Sequence, residues 1–78
     1  MTTESADTEV DATGLNCPMP LLKAKRALNG MQRGQVLRVL STDAGSARDF
    51  GVFSEQSGNA LLASSQEGEL YTFLLRKG

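Results

Sequence analysis

The chain has 78 residues, 40% of them hydrophobic and 22% charged, with a formal net charge of −1. This length predicts one compact domain with a modest core and excludes a second domain. A single cysteine cannot form a disulfide within the chain, which excludes the disulfide-stabilised folds of small secreted domains. We therefore expect a reducing, cytoplasmic location. No apolar run is long enough to predict a membrane-spanning helix.

Charge is divided unevenly along the chain. Residues 1–16 carry four acidic and no basic residues, 17–38 carry five basic and no acidic residues, and 39–78 carry five acidic and three basic residues. We expect 1–7 to be a disordered acidic tail rather than a signal peptide, and 8–78 to be the single domain. With a net acidic chain and four aromatic residues, we do not expect direct nucleic-acid binding.

Hydrophobic periodicity and turn residues predict six elements in the order βαβαββ. The strands are expected at 8–12, 35–41, 59–65 and 70–76, the helices at 18–31 and 46–57, and a hairpin turn at 66–69. The first strand–helix–strand unit requires parallel strands, whereas the final hairpin is antiparallel. Two helices can cover only one face of four strands, so we expect a two-layer α+β sandwich with a mixed four-stranded sheet.

The start of the second helix has two possible caps. Asp43 is a good N-cap, and Ser46 followed by Asp49 resembles a capping box. Gly58 is expected to end this helix, and Gly51 in its middle is expected to weaken it by roughly 1 kcal/mol relative to alanine. The residues expected on its buried side are Ala47, Phe50 and Phe53.

The cysteine lies in the segment G-L-N-C-P-M-P at positions 14–20. Proline is favoured at the first helical position, so Pro18 is expected there, with Cys17 as the N-cap and Pro20 still in the first turn. The positive end of a helix favours a thiolate, so we expect a moderately lowered pKa for Cys17, supported by the Met19 N–H group.

A lone cysteine permits few reactions. The chain has no histidine, so a Cys–His pair is excluded, and zinc and iron–sulfur sites lack ligands. We therefore expect no metal and no cofactor. An exposed thiolate can accept a sulfane sulfur, hold it as a persulfide and pass it to a thiol of another protein. Two alternatives are a regulatory or interaction module, in which the cysteine only fixes the helix start, and a redox sensor acting through sulfenic acid.

The helix after the cysteine has two dissimilar sides. At about 100° per residue, one arc is apolar and should face the sheet; it contains Leu21, Ala24, Ala27, Leu28 and Met31. Leu22 lies on the opposite side among cations. We expect a partner-binding patch of Met19, Leu22, Lys23 and Arg26, although a single exposed leucine is also compatible with an ordinary surface.

The segment D-A-T-G-L-N-C-P-M-P at 11–20 resembles the signature D-x-x-G-L-x-C-P-x-P of the TusA/SirA-like sulfur carriers. The resemblance continues at 42–43, 48–49 and 71–77, and covers roughly residues 8–77. It implies a βαβαββ sandwich and a sulfurtransferase-like carrier that holds a persulfide on Cys17, with Pro18 and Pro20 setting the geometry of that site.

The resemblance also implies partners. A cysteine desulfurase or a rhodanese would supply sulfur, and an acceptor protein would receive it, as in tRNA thiolation. Three positions depart from common family patterns: Met19 stands where the carrier dedicated to tRNA wobble-uridine thiolation commonly has a glutamate, Ala44 replaces a proline, and Ser54 stands where some members have a second cysteine. The sequence therefore leaves tRNA thiolation, cofactor synthesis and other sulfur or selenium routes open.

Overall fold

The computed structural model describes residues 6–78. Its elements follow the predicted order βαβαββ, with these bounds: β1 (Thr8–Ala12), α1 (Met19–Asn29), β2 (Val36–Ser41), α2 (Ser46–Ser57), β3 (Ala60–Glu67) and β4 (Leu70–Arg76). Most of the predicted acidic tail lies outside the described residues. Asp7, which we assigned to that tail, exchanges two hydrogen bonds with Val36, each 2.8 Å long.

The four strands form one mixed sheet in the order β1-β2-β4-β3. β1 runs parallel to β2, while β4 is antiparallel to both β2 and β3. A register shift between Leu61 and Ala63 makes a bulge in β3. The prediction of a mixed sheet ending in an antiparallel hairpin is therefore confirmed.

Both helices pack on the same face of the sheet. The buried core joins α1 and α2 to β2 and β4, and consists of Ala24, Leu28, Leu37, Val39, Phe50, Phe73 and Leu75. The rings of Phe50 and Phe73 stack with centroids 4.7 Å apart. This arrangement is the predicted two-layer α+β sandwich. In α2, Phe50 and Phe53 face the core as expected, but Ala47 is exposed.

Several element ends differ from those predicted. α1 begins one residue later than expected and ends at Asn29 rather than at residue 31, because Gly30 and Met31 turn back to donate hydrogen bonds to Ala27 and Leu28. β3 extends to Glu67, so the hairpin loop shortens to two residues, 68–69. Gly68 supplies the positive φ of +63° that such a tight loop requires.

Neither predicted cap of α2 forms. Gly45 is the N-cap and no side chain caps the helix. The Ser46 hydroxyl instead pairs with Ser41 Oγ at 2.8 Å, and the Asp49 carboxylate accepts a hydrogen bond from Cys17. At the other end, Gly58 adopts the expected left-handed conformation, with φ of +81°. Neither helix in the described part of the chain has the length and apolar character needed to cross a bilayer.

Candidate functional site

Two loops meet at one edge of the sheet. Because β1 and β2 are parallel, the loops that follow them, 13–18 and 42–45, emerge on the same side. The Gly14 N–H group donates to Thr42 Oγ1 at 2.8 Å and ties the loops together. Gly14 has a φ of +81°, a conformation that glycine adopts without strain. Cys17 lies in the first loop, and its side chain is exposed.

The start of α1 differs from its prediction in a way that affects the cysteine. Pro18 is the N-cap rather than the first helical residue, and its peptide bond to Cys17 is cis. Cys17 therefore lies one residue outside the helix. The Met19 N–H group, which we expected to stabilise the thiolate, donates to Asn16 O at 2.8 Å instead. Pro20 is buried at the second helical position and anchors this turn against the body of the domain.

The nearest polar partner of the cysteine comes from α2. Cys17 Sγ donates to Asp49 Oδ2 at 2.8 Å, across 32 residues of sequence. The Asp49 hydrogen bond, desolvation, and the negative charges of Asp49 and Asp43 raise the pKa of the Cys17 thiol above its ordinary value. The expectation of a lowered pKa is therefore wrong. Cys17 lies outside the first turn, where the helix dipole mainly acts, whereas the Asp49 carboxylate is in hydrogen-bond contact with the sulfur and Asp43 adds a second negative charge.

The second loop is held in place by buried serines. Ser41 Oγ pairs with Ser46 Oγ and also accepts a hydrogen bond from the Asp43 N–H group at 3.1 Å. Asp43 Oδ2 is buried without a hydrogen-bond partner. Gly45, the last residue of the second loop, lies against the first loop, since a Cβ atom added there would be 3.3 Å from Asp43 Oδ2 and 3.9 Å from Cys17 Cβ. These contacts fix the start of α2 and thereby the position of Asp49.

The four residues predicted as a partner-binding patch lie together. Met19, Leu22, Lys23 and Arg26 line one shallow depression on α1, with Leu15 from the preceding loop. Met19 is 44% exposed and Leu22 is 47% exposed, so both offer apolar surface close to Cys17. We refer to these five residues as the α1 patch.

A second depression separates the two helices on the other side of α1. Lys25 and Leu21 from α1 face Arg48, Asp49 and other residues of α2 across it. Lys25 Nζ lies 5.5 Å from the centre of the Phe53 ring. Asp49 thus contacts Cys17 and also lines this groove together with Lys25 and Arg48.

Asp49 is the site residue that the sequence reasoning missed. The sequence pattern predicts that its carboxylate forms a capping box with Ser46. The resemblance to the sulfur-carrier family includes residues 48–49, and this was the one signal in the sequence that Asp49 has a role other than capping α2. Within residues 6–78, Cys, Asp and Glu side chains do not gather into a metal-ligand set.

The fold and the site together define a small α+β protein with one accessible thiol, paired with a carboxylate and flanked by an apolar, basic surface. Such a site can form and break one covalent bond at sulfur. The family model described as "Sulfurtransferase TusA" matches residues 8–77. The chain therefore belongs to the TusA family of sulfurtransferases, whose members are sulfur carriers with a sulfur donor and a sulfur acceptor as partners.

Individual relatives agree with this assignment. The chain is 54% identical over 71 residues to the sulfur carrier protein TusA of Allochromatium vinosum, covering 91% of this chain and 93% of the relative. It is 40% identical over 73 residues to the putative sulfur carrier protein YrkI of Bacillus subtilis, covering 94% and 97%. The crystal structure of a SirA-like protein from Desulfitobacterium hafniense superposes with a TM-score of 0.78 at 25% identity, covering 91% and 97%.

Proposed function

We propose that this chain carries sulfur as a persulfide on Cys17, taking it from one protein and passing it to another. The observation that supports this most strongly is the geometry of the thiol. Cys17 is exposed on a loop that precedes a proline-rich helix start, and its side chain points to a carboxylate rather than into the core. A sulfur in this position is open to another protein's cysteine.

The donor that we propose is a cysteine desulfurase or a rhodanese, because both present a persulfide on a cysteine. Since the sequence contains no second cysteine, the sulfur must leave to a thiol or another acceptor outside this chain. Machinery for tRNA thiolation is one acceptor that fits. A free, exposed thiol stays reduced in the cytoplasm, where we place the carrier.

The α1 patch is the surface through which we propose that partners dock. Its apolar side chains, Met19 and Leu22, adjoin Lys23 and Arg26, and the patch continues from the loop that holds Cys17. Apolar contact beside the reactive sulfur would bring the two cysteines together, and the cations would select an acidic surface on the partner.

A redox sensor is the less well supported alternative. Oxidation to sulfenic acid proceeds through the thiolate and is favoured by a low thiol pKa. Asp49 and Asp43 raise the pKa of the Cys17 thiol, which lowers the thiolate population available to peroxide.

Persulfide loading tests the proposal directly. The protein is incubated with a cysteine desulfurase and cysteine, and intact-mass spectrometry follows the product. We expect the wild-type chain to gain the mass of one sulfur atom, to lose it on reduction, and to pass it to an acceptor thiol. The Cys17→Ser variant is the control and should gain nothing. A wild-type protein that stays unloaded with both desulfurase and rhodanese would overturn the proposal.

A further inference from the structure

The contact between Cys17 and Asp49 joins two parts of the chain that have no local reason to meet. The sulfur lies before α1, and the carboxylate lies in the first turns of α2. At 2.8 Å, the separation of Sγ and Oδ2 is short enough for a proton to pass directly between the two atoms. Asp49 is partly buried, whereas Cys17 is exposed, so the carboxylate lies behind the sulfur and leaves its outer side open.

The backbone position of Asp49 is set by the surrounding structure. The Ser41–Ser46 hydrogen bond anchors the first residue of α2 to β2, and the Asp49 N–H group donates to Gly45 O at 3.1 Å. The Asp49 carboxylate gives no cap to its own helix. A carboxylate that projects from this fixed backbone and accepts a hydrogen bond from the reactive atom has the geometry of a proton carrier.

We propose that Asp49 is the proton acceptor and donor of the sulfur-transfer reaction at Cys17. This inference rests on the proposed function, because it assigns a role within that reaction. Asp49 contacts the reacting sulfur itself, so the role is catalytic rather than one of positioning alone.

In the loading step, the Cys17 thiol transfers its proton to the Asp49 carboxylate as its sulfur attacks the outer sulfur of the donor persulfide. A new S–S bond forms at Cys17, and the S–S bond of the donor breaks. The donor cysteine leaves as a thiolate and then takes the proton from Asp49. Cys17 sulfur is formally oxidised and the donor cysteine sulfur is reduced by the same amount, so no external oxidant is needed.

Unloading is the same sequence in reverse. The acceptor thiol gives its proton to Asp49 and attacks the outer sulfur of the Cys17 persulfide. Cys17 then leaves as a thiolate and recovers the proton. A leaving thiolate of high pKa departs slowly unless it is protonated. A nearby acid is therefore as useful in unloading as a base is in loading.

Other charged groups around the pair determine how it responds to pH. Asp43, on the loop before α2, faces the same sulfur and adds negative charge. Lys25 and Arg48 line the same groove as Asp49 and add positive charge to it. Asp43 also raises the pKa of the thiol and so opposes thiolate formation. It forms no hydrogen bond with Cys17, so Asp49 is the carboxylate placed to exchange a proton with the sulfur.

The Asp49→Asn variant separates proton transfer from simple electrostatics. If Asp49 only repels the thiolate, its neutralisation should speed alkylation by iodoacetamide and sulfur loading alike. If Asp49 accepts the proton, the variant should alkylate faster at neutral pH because its thiol ionises more readily, yet load sulfur from the desulfurase at least about tenfold more slowly. Opposite changes in the two rates support the inference, and parallel acceleration overturns it.

Two further measurements complete the test. The Asp49→Glu variant keeps the carboxylate and should recover part of the loading rate lost in Asp49→Asn, while equal rates in the two variants would count against proton transfer. The loading rate of Asp49→Asn should rise more steeply with pH than that of wild type between about pH 6 and pH 8.

The outcomes distinguish this inference from the proposed function. Wild-type protein that never gains sulfur refutes the carrier function itself. Wild-type protein that loads normally, together with an Asp49→Asn variant that loads as fast or faster, refutes only the role of Asp49.

Discussion

Cys17 combines an accessible thiol with a raised pKa, and these properties act in opposite directions. A higher pKa makes each thiolate a stronger nucleophile, by about threefold per pKa unit for a Brønsted coefficient of about 0.4–0.5. The same increase lowers the thiolate population about tenfold per unit near neutral pH. The population effect is the larger one, so an unassisted thiol in this environment reacts slowly. In the proposed sulfur-transfer reaction, acceptance of the proton by Asp49 offsets that disadvantage.

The pH dependence of alkylation tests the acidity of Cys17. We expect the iodoacetamide rate of the folded protein to reach its half-maximum at a higher pH than that of the urea-unfolded chain, because Asp49 and Asp43 are near the sulfur only after folding. Rates are measured by intact mass across the alkaline range in both states. A lower midpoint in the folded protein would show that the helix end, not the carboxylates, controls the thiol.

The raised pKa of the Cys17 thiol also makes the stability of the folded chain depend on pH. The folded chain holds the Cys17 proton more tightly than the unfolded chain does. Its contribution to stability is therefore fully present below the unfolded-chain pKa, and it is lost as the pH rises through the raised folded-state pKa. The loss falls on the alkaline side of the ordinary thiol value of 9.0.

At the scale of the elements, the sequence predicted correctly which helices and strands form and in what order, but it predicted the residues at which they begin and end less well. β1, α2 and β4 have the predicted bounds, since turn residues mark both ends of each. The start of α1 was misplaced by one residue because two prolines lie in the first turn, and the preference of proline for the first helical position does not decide between them. The predicted capping box of α2 does not form because Ser46 and Asp49 have hydrogen-bond partners outside the helix, Ser41 and Cys17. Asp43 is not the cap because the helix begins two residues further on, with Gly45 as its N-cap.

Gly51 inside α2 and Gly58 just after its last residue provide a matched pair for testing this helix. Gly58 has a φ of +81°, so Gly58→Ala should lower the free energy of unfolding by roughly 1 kcal/mol. Gly51 lies inside the helix, and a Cβ atom there would contact nothing within 4 Å, so Gly51→Ala should raise the same quantity by up to about 1 kcal/mol. Urea denaturation followed by circular dichroism measures both. Changes of the same sign in the two variants would contradict the assigned backbone conformations.

At the scale of the whole molecule, folding divides the basic block at 17–38. Lys23 and Arg26 line the α1 patch, whereas Lys25 lies on the other side of α1 over Phe53. Arg38 points to the sheet face away from the helices and pairs with Glu9 at 3.4 Å. The positive charge beside Cys17 is therefore smaller than the sequence count suggests, and it is concentrated where the apolar side chains of the patch are exposed.

Leu22→Asp tests the α1 patch as a docking surface. We expect transfer of sulfur between the desulfurase and this protein to slow by roughly tenfold, the equivalent of about 1.4 kcal/mol, because an acidic group replaces apolar contact area. Alkylation of Cys17 by iodoacetamide should change little, since the small reagent needs no docking.

Leu62→Asp is the matched control for this test. Leu62 is 46% exposed, close to the 47% of Leu22, but lies on β3 outside the patch. Transfer by Leu62→Asp should remain near the wild-type rate. Equal rates for the two variants would remove the argument for docking at α1.

The sequence by itself determined the element order, the sandwich and the identity of the reactive residue. Hydrophobic periodicity and turn residues depend on neighbouring positions in the sequence, so the element order can be predicted from the sequence alone. Cys17 is identified as the reactive residue because it is the one cysteine in the sequence. Only the tertiary structure decided the acidity of that sulfur and the role of Asp49. Their contact joins residues 32 positions apart, brought together because parallel β1 and β2 deliver both loops to one edge of the sheet. A pKa depends on distances between charges, and those distances exist only after folding.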